Sequence, residues 1–106
     1  MSDMTWMSET VAPATARIVV APKGFCPGCV RTKRRLSDAI AAGRVTVIPG
    51  DTDAAAGVIA DLDDIDPGAR RIAPIVVVYG ADGSPLDAWS EMREDRVTAL
   101  RDALAA

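Results

Sequence analysis

The 106-residue sequence has no histidine and only two cysteines. A closed zinc site of the usual kind takes four Cys or His ligands, so the single C-x-x-C pair is half a site and argues against intrachain zinc. No apolar run reaches the roughly eighteen residues that a membrane-spanning helix requires. Residues 1–16 lack the basic leader and apolar stretch of a secretory signal, so the expected location is cytoplasmic. A permanent structural disulfide is not expected in that reducing compartment. Carboxylates are absent from Thr10 to Ser37, where Lys23, Arg31, Lys33, Arg34 and Arg35 gather around the cysteines, whereas Asp51 to Asp66 holds six aspartates and no cation. These blocks read either as solvated helix faces or as a basic surface that meets an anionic partner. The net charge of −3 is mild and gives no reason to expect a nucleic-acid partner.

What is present suits one soluble domain. The hydrophobic content of 49% can fill a modest core, and the length allows one domain rather than two. We expect a loose tail over residues 1–16, with Met4, Trp6 and Met7 touching the domain, and a folded unit over residues 17–106. Arg17 to Ala21 reads as a buried strand closed by Pro22. A helix follows from Pro27 to the stop at Gly43, with Val30, Leu36 and Ile40 as its apolar stripe. Val45 to Pro49 is the second strand. Asp51, Thr52 and Asp53 are candidate caps for a helix whose inward face is Ala55, Val58, Ile59 and Leu62. Ile75 to Tyr79 is the clearest strand. Gly80 to Gly83 turns the chain into a short edge strand over Pro85 to Trp89, and a last helix runs from about Glu94 to Ala105. The order β-α-β-α-β-β-α predicts an α/β architecture: a four-stranded mixed sheet flanked by three helices, the plan of the thioredoxin fold.

The chemistry concentrates in Cys26-Pro27-Gly28-Cys29, between the first strand and its helix. A thiol at a helix N-terminus meets unpaired N–H groups and the positive end of the macrodipole, both of which favour thiolate. Pro27 has no N–H, which leaves those of Gly28 and Cys29 as donors. Two intervening residues bring both sulfurs onto one turn, and Gly28 leaves room for a partner's backbone. Cys26, the exposed member, should attack a target disulfide, and Cys29 should resolve the mixed disulfide. Lys23 and Arg31 are placed to lower the Cys26 pKa further. The competing structural reading is two inert core cysteines. Pro74 precedes the clearest strand, and a cis Ala73–Pro74 bond near the sulfurs would turn the Ala73 backbone groups towards a substrate.

The stretches Lys23-x-x-Cys26-x-x-Cys29, Ala73-Pro74-Ile75-Val76-Val77 and Trp89-Ser90-x-x-Arg93-x-Asp95 resemble those of the glutaredoxin-like NrdH redoxins, over residues 17–105. The resemblance implies a disulfide reductant that takes electrons from NADPH through the flavoprotein thioredoxin reductase and passes them to ribonucleotide reductase. Glu91, Met92 and Glu94 depart from the family's W-S-G-F-R-P-D pattern, and C-P-G-C is closer to glutaredoxins than the family's usual C-V-Q-C. The glycine and aspartate element with which glutaredoxins hold glutathione is missing.

Together these readings make Cys26 and Cys29 the catalytic pair. The candidate substrate-binding residues are Lys23, Phe25, Pro27, Gly28, Ala73, Pro74, Trp89, Ser90 and Arg93. Trp89 and Ser90 read equally as core packing and a helix cap. We expect a monomer with no permanently bound cofactor and no metal, its redox carrier being the Cys26–Cys29 disulfide. Two other functions stay open: a glutathione-dependent glutaredoxin, and a module binding an iron–sulfur cluster between chains through Cys26.

Overall fold

The computed structural model describes residues 12–105. The expected contacts of Met4, Trp6 and Met7 lie outside them. The elements, in order, are β1 (Thr15–Val20), α1 (Pro27–Arg35), α2 (Ser37–Ala41), β2 (Val45–Pro49), α3 (Asp53–Ile65), β3 (Ile75–Tyr79), β4 (Pro85–Ser90) and α4 (Glu94–Ala105). They form an α/β fold with one four-stranded sheet in the order β2-β1-β3-β4. β1 runs parallel to β2, while β3 is antiparallel to both β1 and β4.

Side-chain alternation divides the sheet's two faces. Ala16, Ile18, Val76, Val78 and Trp89 join Leu36 and the α4 residues Val97, Leu100 and Leu104 in one core cluster. Val19, Ile75, Val77 and Tyr79 pack with Ala55, Val58 and Leu62 of α3 in the other. Helices therefore cover both faces, and every residue of β3 is buried. A strand covered on both sides needs a continuous apolar run, which Ile75–Tyr79 supplies.

The fold departs from expectation in its helix count, which is four rather than three among the described residues. The long helix foreseen from Pro27 to Gly43 breaks at Leu36 (φ −102°, ψ 16°), the residue between α1 and α2. Bonds of helical spacing still flank the break, from Leu36 N–H to Thr32 O at 3.1 Å and from Ile40 N–H to Leu36 O at 2.9 Å. Leu36 itself is fully buried. No glycine or proline marks this break; the chain redirects where Leu36 enters the core. The helix also turns a different face inward: Cys29 and Thr32 are buried on α1, and Val30 is 43% exposed.

One strand boundary shifts into the expected tail, and the remaining signals act as read. β1 begins at Thr15, ahead of Arg17, and the Ala14 N–H continues the sheet by donating to Tyr79 O at 2.8 Å. Thr52 caps α3, its hydroxyl accepting from Ala55 N–H at 3.3 Å. Gly43 ends α2 with φ +79°, a left-handed conformation that glycine adopts without steric cost. At the same end of the sheet, Arg44 donates to the carbonyls of Ala14 and Leu104, tying the start of β2 to β1 and α4. No helix among the described residues is long and apolar enough to cross a membrane.

Candidate functional site

β1 ends at Val20, and the chain turns through Gly24 (φ +83°) to place Cys26 at the N-cap of α1. Pro27 occupies the first helical turn, where its missing N–H costs nothing. The Cys26 Sγ accepts a hydrogen bond from the Cys29 N–H at 3.2 Å. This is the donor expected to stabilise a thiolate there once the pair is reduced. No acidic residue lies in the first turn of α1 to oppose it. Cys26 and Cys29 form a disulfide with their Cα atoms 5.3 Å apart. Cys26 is half-buried and Cys29 is 3% exposed, so access differs between the two sulfurs.

Two loops reach this helix end. The Ala73–Pro74 peptide is cis, and Pro74 is buried. A Cβ placed on Gly28 would lie 3.2 Å from Pro74 Cδ and 3.3 Å from Met92 Cβ, so Gly28 is held between the loop before β3 and the loop after β4. These loops are joined by a bond from Glu91 N–H to Ile72 O at 3.1 Å. The Met92 sulfur also accepts from the buried Thr32 hydroxyl of α1 at 3.0 Å. Proline, glycine and a thioether thus form a close-packed wall beside the pair.

Among the other candidates, Phe25 is 89% exposed, and Lys23 and Pro27 are exposed beside it. Ala73 is half-buried next to Pro74. Trp89 is not presented to a partner: it is 3% exposed in the core, with the Arg96 guanidinium 5.6 Å from its ring centre. Ser90 ends β4 opposite Ile75 and so belongs to the sheet, not to a helix cap. Arg93 is exposed, 3.8 Å from Asp95.

The basic block divides. Lys33, Arg34 and Arg35 form the last turn of α1, where cations complement the helix dipole. Arg31 pairs with Glu94, and Arg35 reaches the same carboxylate at 3.5 Å, joining α1 to α4. Arg71 pairs with Asp63. Lys23 and Arg70 have no ion-pair partner among the described residues.

Four residues near the site are not marked as site residues by the sequence. Val30 fits the expected apolar stripe, Thr32 and Ile72 carry no signal, and Met92 stands out only as a departure from the redoxin pattern. Val30 and Ile72 (39% exposed) are, with Phe25, the large apolar residues left in solvent among the described residues. All three lie close in sequence to the cysteine pair or to Pro74.

A C-x-x-C disulfide at a helix N-terminus, in a mixed α/β sheet, is compatible with thiol–disulfide redox chemistry in general and consistent with a thioredoxin-like redoxin. Among the described residues no group of three or more His, Cys, Asp or Glu side chains is placed to hold a metal ion. No family model matches the chain, and no curated protein is similar enough in sequence to name a relative.

Proposed function

We propose that the protein is a dithiol electron donor that reduces protein disulfides and is itself recharged by a flavoprotein of the thioredoxin reductase kind. The observation that carries this reading is the Cys29 N–H directed at the Cys26 sulfur, with Cys29 buried behind it. In the reduced protein the Cys26 thiolate attacks one sulfur of a client disulfide, and the first client thiolate leaves. The Cys29 thiolate then attacks the Cys26 sulfur, releasing the second client thiolate. Two electrons pass to the client, and the Cys26–Cys29 disulfide re-forms. The exposed Phe25, Val30 and Ile72 offer apolar contact to a client segment, and the Ala73 backbone offers it pairing. Lys23, Pro27, Gly28, Ser90 and Arg93 complete the proposed contact surface. Trp89 serves from below, by fixing the strand end that carries Ser90. Ribonucleotide reductase is the client that the redoxin resemblance suggests, with the protein acting as a cytoplasmic monomer.

Glutathione is the competing reductant. Arg31 and Arg71, two cations that would attract its carboxylates, are already engaged by Glu94 and Asp63. Glu91 adds negative charge at that end of the site. We therefore expect thioredoxin reductase to reduce the Cys26–Cys29 disulfide far faster than glutathione does. The test is NADPH consumption in two coupled systems, one with thioredoxin reductase and one with glutathione and its reductase. A preference for the glutathione system would move the protein to the glutaredoxins proper.

A further inference from the structure

Met92 is the one methionine among the described residues, and it packs at Gly28, the residue next to Cys29. Its Cβ meets the space beside Gly28, while its sulfur accepts the hydrogen bond of the Thr32 hydroxyl, a group wholly shielded from solvent. The side chain as a whole remains partly exposed. A thioether sulfur carries two lone pairs. Thr32 engages one from the α1 side, which makes the two faces of the sulfur inequivalent towards an oxidant. With Cys26 and Cys29 joined, neither is a thiolate, so Met92 offers the unprotected sulfur at this wall.

We propose that Met92 is a sulfoxidation site for hydrogen peroxide, that one sulfoxide epimer predominates there, and that the oxidised side chain slows the cysteine chemistry. In the reaction the thioether sulfur loses two electrons and gains one oxygen. The peroxide O–O bond breaks, and its second oxygen leaves as water with both peroxide protons. The product places a polar oxygen on a side chain packed beside the Gly28–Pro74 contact. The slowing rests on the disulfide-reductase reading above; the oxidation and its stereochemistry do not.

The experiment treats the disulfide form of the full chain with hydrogen peroxide and removes the oxidant. Peptide mapping then separates Met92 from Met1, Met4 and Met7. The epimer at Met92 is identified with the two classes of methionine sulfoxide reductase, each of which accepts one epimer. Free methionine oxidised in parallel supplies the two-epimer reference. Insulin reduction with dithiothreitol as electron source is measured before and after treatment, in the wild type and in Met92→Leu, each compared with its own untreated sample. We expect oxygen at Met92 that one reductase class alone repairs, and about a tenfold loss of rate in the wild type, less than a 1 Å misplacement of reacting groups can cost. Met92→Leu should lose little of its own starting rate. No oxygen at Met92, or equal amounts of the two epimers, would overturn the site. Equal fractional losses in the two proteins would overturn its effect on the chemistry. Untreated protein that failed to reduce insulin would instead count against the reductase reading, and the epimer result would still decide the oxidation.

Discussion

At the scale of single residues, the two cysteines differ in every respect that governs thiol reactivity. Cys26 caps α1, receives the Cys29 N–H and is half-open to solvent. Cys29 is buried one turn further in. A thiolate at the N-cap is favoured by the helix dipole and by that hydrogen bond, and neither reaches Cys29 in the same way. In single-cysteine variants, the alkylation rate of Cys26 should therefore rise at lower pH than that of Cys29. A faster reaction of Cys29 near neutral pH would reverse the assigned roles. Cys29→Ser should trap a mixed disulfide with a client, whereas Cys26→Ser should neither trap nor reduce it.

Among the structural elements, the contact of α1 with its two neighbouring loops is the most exacting. A methyl group on Gly28 would meet Pro74 Cδ at 3.2 Å and Met92 Cβ at 3.3 Å, tighter than ordinary van der Waals contact on both sides. Gly28→Val adds two more carbons, and crowding of this kind costs about 1–3 kcal/mol of stability. Denaturant unfolding of the variant should show a loss in that range, together with slower disulfide reduction. Unchanged stability would mean that the loops can move apart freely. The same elements show what the sequence could reveal. The Cys26–Cys29 spacing, the proline at the helix start and the uninterrupted Ile75–Tyr79 run each carry a local chemical or steric signature, so the site's core and the central strand were legible. The break at Leu36 was not, because an apolar residue in helical register looks the same whether the helix continues or turns. Nor could periodicity tell that Cys29 and Thr32, rather than Val30, set the inward face of α1. That choice is made by α4 and the loop carrying Met92, which meet α1 only in three dimensions.

Across the whole molecule, the sheet separates two poles. β1 leads to the cysteines at one end, and the antiparallel pairing of β3 puts Tyr79 opposite Thr15 at the other. There the Tyr79 hydroxyl donates to Asp61 of α3 at 2.6 Å, and the Arg17 guanidinium of β1 lies 5.1 Å from its ring centre. Burial first, and then the Asp61 carboxylate, push the Tyr79 pKa up from its ordinary value of 10.0, against a smaller opposing effect of Arg17. The unfolded chain releases this proton at lower pH than the folded one. Its stabilising effect is therefore complete below the ordinary tyrosine range and declines as pH rises above it. Unfolding midpoints of the wild type and Tyr79→Phe, compared from about pH 8 to about pH 11, should show any wild-type advantage shrinking towards the alkaline end. A gap independent of pH would refute the linkage.

The β3–β4 turn lies at that same distant pole. It is closed by its own bonds, from Gly80 N–H to Ser84 O at 2.9 Å and from Ser84 N–H to the Asp82 carboxylate at 2.9 Å. Asp82 and Gly83 are exposed. This makes the turn a natural handle: a fluorophore or surface tether attached at the exposed Ala81 would spare these bonds and leave the opposite pole free to engage a client. A protein so anchored could be passed from reductant to substrate and back while its chemistry is followed from the far side.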